Sequence, residues 1–316
     1  EQQSEVDAWL RTNAMELSTV QPGSPRDDLR RLERLFGDAS VVALGEASHV
    51  NRTFSQAKHR IIEYLVTERG FTVFAIEATF AGALELNDYL LTGDGEPSRA
   101  HAALVYRAWD TESILEMIVR MREYNATHER KLKVYGFDNK PATGSARAVR
   151  GYLQTIDATE DYDGVLSVLM DPWSVVQLLK GPKEEIHRAA ERVASLVTEL
   201  EKPPPPTTGT TEPRRQWSLA LQHARVLLQN LEFYGAESRS EATDLRDKAM
   251  AQNVRWIVEH ENQAKTILWA ANAHIWAEPG CGSMGGYLRE TYGEKFLAVA
   301  LLANRMPEEG GERALT

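Results

Sequence analysis

Val41-Val42-Ala43-Leu44-Gly45-Glu46-Ala47-Ser48-His49 begins as an unbroken apolar run and turns polar at Glu46. A short run with β-branched residues, closed by a glycine, is the pattern of a strand buried on both faces. Glu46 and His49 then fall at the carboxyl end of that strand, where Gly45 lets the chain turn closely.

The pattern repeats along the chain. Phe71 to Glu77 runs through Val73-Phe74-Ala75-Ile76 to a carboxylate, and Leu132 to Phe137 is followed by Asp138. Thr266 to Ala271 leads into Asn272 and His274, and Phe296 to Leu302 reads as a fifth strand. Helical stripes lie between them: Phe54, Ile61, Ile62, Leu65 and Val66 before the second strand, Ile114, Met117, Ile118 and Met121 before the third. Strands alternating with helices predict an α/β fold with a mostly parallel sheet flanked by helices. Residues 144–261 carry no strand pattern and far exceed a crossover, so a large helical insertion is expected within a single domain spanning 1–316. Inside it, Ile186, Ala190, Val193, Val197 and Leu200 form one helical stripe, and Trp217, Leu221, Ala224, Leu228 and Leu231 another; the two can pack as a hairpin. Pro203-Pro204-Pro205-Pro206-Thr207-Thr208-Gly209 between them cannot be helical and is expected to be an exposed, disordered connection.

Parallel strands share one carboxyl edge, and ligands of open α/β sheets bind in the crevice there. Glu46, Glu77, Asp138 and His274 are therefore aimed at one place from separate segments, although a cap or loop hydrogen bond is the plain expectation for Asp138 alone. A carboxylate three residues before His49 can fix its tautomer and raise its basicity, as a general base requires; the plainer alternative is a histidine capping the next helix. Lys58 shares the stripe of Phe54 and Ile61, so its stem either snorkels to solvent or carries the ammonium to the carboxylates. Arg246, Met250 and Asn253 share one helical face, and the strand-end carboxylates are the obvious partners for the polar two, the Arg most plainly in a structural ion pair. Gly280-Cys281-Gly282-Ser283-Met284-Gly285-Gly286 precedes a helix and could cradle an anion, but lacks the Lys-Ser/Thr of a nucleotide loop and reads as a flexible rim. With no Gly-x-Ser-x-Gly and no evident partner for Cys281, a covalent nucleophile is not expected.

The 316 residues, 42% hydrophobic and 26% charged, have the balance of a soluble globular protein. A formal charge of −10 argues against nucleic acid as a partner and suits neutral or cationic small molecules. Cys281 is the sole cysteine, which excludes an intrachain disulfide and a thiolate zinc cluster and points to the cytoplasm. No apolar run approaches the roughly 20 residues of a membrane span. Glu1-Gln2-Gln3 shows no signal pattern and begins a loosely held terminus; a leader removed before Glu1 stays open.

Taken together, the motifs resemble the erythromycin esterase family, which also includes proteins linked to succinoglycan biosynthesis. The resemblance runs from about Val41 to Asn304. It rests on Gly45-Glu46-Ala47-Ser48-His49, Gly70-Phe71 through Ala75-Ile76-Glu77, Asn87-Asp88-Tyr89, Trp109-Asp110-Thr111-Glu112 and Arg122-Glu123-Tyr124-Asn125. Tyr135-Gly136-Phe137-Asp138, Arg246-Asp247-Lys248-Ala249-Met250-Ala251-Gln252-Asn253 and Trp269-Ala270-Ala271-Asn272-Ala273-His274 complete it. It implies a metal-independent hydrolase without cofactor that opens macrolide lactones, with His49 as base and Glu46, Glu77 and His274 at active-site positions. Lys58 falls where members carry a basic residue. Two positions depart: Ala271 stands where members have His, and Arg107 where an aromatic precedes Trp109.

Three readings follow. The first is hydrolysis of an ester, lactone or related acyl group of a small molecule, macrolide-like or another natural product. The others are a non-hydrolytic biosynthetic step (cyclisation, elimination or acyl rearrangement) and a degenerate protein that only binds. Lys58, Arg107, Trp109, Asp138 and Arg246 are the expected substrate contacts, with Trp173, Phe233 and Tyr234 of the insertion lining one wall of a deep cleft. Glu46, His49, Glu77, Asp138 and His274 form a set that zinc or manganese could accept, yet with no short-spaced histidine pair a tight metal is not expected, and protons, Lys58 or Arg246 must offset the carboxylates.

Overall fold

The computed structural model describes residues 15–202 and 212–302, with Glu5, Ala8 and Thr12 before them. In chain order its elements are α1 (Asp27–Arg31), α2 (Glu33–Phe36), β1 (Val41–Leu44), α3 (Arg52–Arg69), β2 (Val73–Thr79), α4 (Phe80–Thr92), α5 (Pro97–Ala102), α6 (Glu112–Thr127) and β3 (Lys133–Asp138). There follow α7 (Thr143–Thr155), α8 (Asp163–Met170), α9 (Pro172–Lys180), α10 (Lys183–Leu200), α11 (Glu212–Gly235), α12 (Arg239–His260), β4 (Thr266–Trp269), α13 (Asn272–Ile275), α14 (Met284–Tyr292) and β5 (Phe296–Val299). The strands pair in the order β3-β2-β4-β1-β5, every neighbour parallel.

Alternation along each strand divides the core into two layers. Val41, Ala43, Val73, Ala75, Tyr135, Phe137 and Leu268 face the layer that holds Val193, Leu196, Ala224, Leu227, Met250 and Val254 of α10, α11 and α12. Val42, Leu44, Phe74, Ile76, Val134, Ile267 and Trp269 face the other, with Ile61, Ile62 and Leu65 of α3 and Ile114, Met117 and Ile118 of α6. Both faces are covered, which is why these strands read as continuous apolar runs.

Helices α7 to α12 occupy the stretch between β3 and β4 where the insertion is expected. Its two stripes do meet: α10 and α11 bury Val193, Leu196, Val197 and Leu200 against Leu221, Ala224 and Leu227, and the Trp217 indole donates to the Leu200 carbonyl at 2.7 Å. The expected proline-rich connection, Pro203 to Gly209, lies outside the described residues. Among the described residues no helix is long and apolar enough to cross a membrane.

The strands stop where the site begins. β1 ends at Leu44 and β4 at Trp269, two residues short of the expected ends, because their continuations leave the ladder and bind each other. Ala270 N donates to Leu44 O at 3.3 Å and Asn272 N to Glu46 O at 2.9 Å, which ties the loop carrying Glu46 to the helix carrying His274. β5 likewise ends early, at Val299. A Cβ on Gly45 would stand 2.2 Å from Asn272 Oδ1 and 2.4 Å from Ile275 Cδ1, so a larger residue would push both of these side chains back.

Candidate active site

Glu46 is buried at the end of β1 and holds three groups. Its Oε1 lies 2.7 Å from His49 Nδ1, while its Oε2 lies 2.9 Å from Lys58 Nζ and accepts from the Trp269 indole at 3.1 Å. Lys58 is fully buried and reaches inward, its ammonium also donating to Ala270 O at 3.3 Å and sitting 4.4 Å from the Trp269 ring centroid. Burial draws Lys58 down to about 8 against the pull of Glu46. Asn51, not His49, caps α3 by accepting from Phe54 N, so His49 is left to pair with Glu46. The imidazole stands edge-on to Trp109 at 5.3 Å between ring centroids, with 36% of its side chain exposed.

A second cluster adjoins the first. Arg246 on α12 donates from Nη2 to Glu77 Oε1 at 2.8 Å and to Asp138 Oδ2 at 2.6 Å, and from Nε to Asp138 Oδ1 at 3.1 Å. Ala271 N donates to Glu77 Oε2 at 3.0 Å, and the Trp109 indole to Glu77 O at 2.8 Å. Tyr106 gives its hydroxyl to Asp138 at 2.6 Å, also within 2.8 Å of the Lys140 carbonyl. Burial opposes the Glu77 charge, yet His274, Arg246 and the Ala271 amide hold its carboxyl down to about 2. The Tyr106 phenol is pushed well above its usual range by burial and by Asp138.

His274 is held from both sides, with Nδ1 2.9 Å from Asp247 Oδ1 and Nε2 3.4 Å from Glu77 Oε1. Arg246 Nη1 also approaches Nε2, at 3.0 Å, and Nε2 cannot accept from Arg246 and donate to Glu77 in one protonation state. Asp247 and Glu77 set a carboxylate on each side of the ring, which favours the imidazolium. Burial works against that charge, but Asp247 and Glu77 lift His274 to about 9. The stability that His274 contributes is therefore fully present below the ordinary imidazole value near 6.5 and is lost as pH rises through about 9. Lys58 acts oppositely, its burial cost being relieved as pH rises above about 8, so the histidine effect must be isolated by difference. Urea unfolding of the protein and its His274→Gln variant should show a stability gap at pH 6 that shrinks by pH 10; a gap independent of pH would refute the assignment.

The structure thus gathers Glu46, His49, Lys58, Glu77, Trp109, Asp138, Arg246 and His274 at the carboxyl edge. Arg107 stays exposed in the turn Arg107–Trp109. Asn253 departs from the expected carboxylate partnership: its amide donates to Phe137 O at 2.9 Å and to Gln229 at 3.0 Å, bracing α12 on β3 and α11. Tyr234 is shifted upward by burial and by Asp138, and Phe233 lies under the Lys140 ammonium at 4.2 Å, which sets this pair beside the second cluster. Trp173, 71% exposed on α9, projects into solvent instead. In the glycine-rich loop the first-turn amide of Gly286 is taken by Ser283, an internal cap rather than an open anion cradle. Asp247, Tyr106 and Trp269 are participants that sequence reasoning passed over. Asp247 neighbours Arg246 and could have been flagged as its counterpart, whereas Tyr106 sits in an irregular turn without periodic signal.

Fold and site define a parallel α/β protein with an ionic centre at the carboxyl edge of its sheet. The family model described as Erythromycin esterase matches residues 66–307, and the chain belongs to that family. It is 24% identical to erythromycin esterase type II of Escherichia coli, covering 93% of this chain and 76% of that protein. Among solved structures, a Bacillus cereus protein superposes with a TM-score of 0.80 at 26% identity, covering 94% of this chain and 74% of that one. A succinoglycan biosynthesis protein superposes at 0.78 with 25% identity and the same coverage.

Proposed function

We propose that the protein is a hydrolase of an ester, lactone or related acyl group in a small molecule or natural product, with His49 as general base. The observation that carries this is the Glu46–His49 pair: Glu46 accepts from Nδ1–H, which leaves Nε2 as the proton acceptor of a partly exposed ring. Nε2 takes a proton from water as the water oxygen adds to the acyl carbon. Lys58 offsets the Glu46 charge from 2.9 Å. His274 supplies a proton to the departing oxygen, and Phe233, Tyr234 and Arg107 shape the entrance.

The Escherichia coli relative is named for erythromycin, so a macrolide-like lactone is the first class to try. Ala271 stands where the family resemblance implies an imidazole, but what this position gives Glu77 is its backbone amide, which any residue but proline keeps. Glu77 and Asp138 already direct their oxygens at Arg246, which supports a reaction without a bound metal. The single cysteine suits a cytoplasmic setting. Turnover in heavy-oxygen water tests the reading, since hydrolysis places label in the acid product. A converted product free of label would mean an acyl rearrangement instead.

A further inference from the structure

We infer that Asp247 is a positioning residue: from α12 it holds His274 by Nδ1, so that the other ring nitrogen can pass a proton to the departing alcohol oxygen. This rests on the hydrolase reading above for its chemistry, though not for its geometry.

Asp247 follows Arg246 on α12, so the two side chains diverge by about 100° around the helix. Arg246 turns to the strand-end carboxylates, and Asp247 turns to α13 and α14. Its Oδ1 accepts from Met284 N, the first residue of α14, at 2.9 Å and meets His274 Nδ1 at 2.9 Å. The carboxylate is buried, and α14 packs so closely on α13 that a Cβ on Gly285 would stand 2.4 Å from Ile275 O. Asp247 therefore has little freedom to leave the ring.

The two nitrogens of His274 are not held equally. Nδ1 meets the Asp247 carboxylate at 2.9 Å, while Nε2 has the longer carboxylate contact, 3.4 Å from a Glu77 already engaged by the Ala271 amide and by Arg246, whose Nη1 stands 3.0 Å from Nε2. The proton on Nε2 is the one free to move. In the reaction water adds to the acyl carbon and gives a proton to His49, the bond from that carbon to the alcohol oxygen breaks, and the Nε2 proton of His274 goes to that oxygen. One water is consumed, acid and alcohol depart, and solvent returns the proton from His49 to His274. A nitrophenolate needs no such proton near neutral pH, whereas an alkoxide does.

Two measurements test this on the full chain. In histidine-labelled protein followed by NMR, with the signal assigned by its loss in His274→Gln, His274 should titrate near 9 and fall toward the ordinary value near 6.5 in Asp247→Asn. In parallel, the ratio of kcat/KM for ethyl butyrate to that for 4-nitrophenyl butyrate should drop about a hundredfold in Asp247→Asn. A His274 that titrates near 6.5 in the unsubstituted protein overturns the proposal, and that result stands even if the variant fails to fold. So does a titration unmoved by Asp247→Asn, or an unchanged ratio. Turnover of neither ester by the unsubstituted protein counts against the hydrolase reading and leaves the titration to decide the part of Asp247.

Discussion

Replacing His49 by glutamine is expected to lower kcat/KM on a turned-over ester by about a hundred- to ten-thousand-fold, the usual range for removing a general base. Glutamine keeps the size and can still donate to Glu46, but it has no nitrogen able to take a proton from water. With 36% of its side chain exposed and α3 capped by Asn51, His49 contributes little to the core. The variant should melt within a few degrees of the unsubstituted protein, and that separates chemistry from folding. Glu46→Gln should fold less well, because Glu46 is the buried counter-ion of Lys58. Turnover by His49→Gln within a few-fold of the unsubstituted protein would remove His49 from the role of base.

The part of this arrangement that sequence exposes is the part fixed by period and position. Val41 to Leu44 and Val73 to Ile76 are apolar at every residue because both sheet faces are covered, and a carboxylate just beyond such a run falls at the shared edge whatever the loops do. Glu46, Glu77, Asp138 and His274 were legible on that ground. Lys58 was ambiguous, because one helical stripe serves both a snorkelling lysine and one that is fully buried; only the depth of Glu46 decides. Partners that depend on long-range docking were not legible. Tyr106 reaches Asp138 from an irregular turn beside Val105, whose φ of 67° no periodicity announces. Asn253 shares the face of Arg246 but lies about two turns further along α12, alongside β3 and back from its carboxyl end, and so meets the Phe137 carbonyl and glutamines. The order β3-β2-β4-β1-β5 was equally hidden, since alternating strands and helices fix parallel pairing but not which strands become neighbours.

Arg246→Met should be the most damaging single change to stability, at about 3–5 kcal/mol, the cost of removing one partner from a buried ion pair. Methionine fills much of the volume, so the loss is electrostatic rather than a cavity. Asp138 would keep Tyr106, and Glu77 would keep the Ala271 amide, but both carboxylates would lose the guanidinium that lies between them. Two buried carboxylates so placed repel, and the variant relieves this by holding a proton that the unfolded chain releases. The sign follows: a carboxyl raised above its unfolded value loses stability as pH rises, so the deficit of Arg246→Met should be larger at pH 8 than at pH 5. Arg246→Lys should fall between, since an ammonium restores the charge but not the fork that contacts both oxygens of Asp138. Urea unfolding of the three proteins at both pH values supplies the comparison. An Arg246→Met protein within about 1 kcal/mol of the parent at pH 8 would mean that water reaches these carboxylates more freely than their burial implies, and that Arg246 does not set their charge.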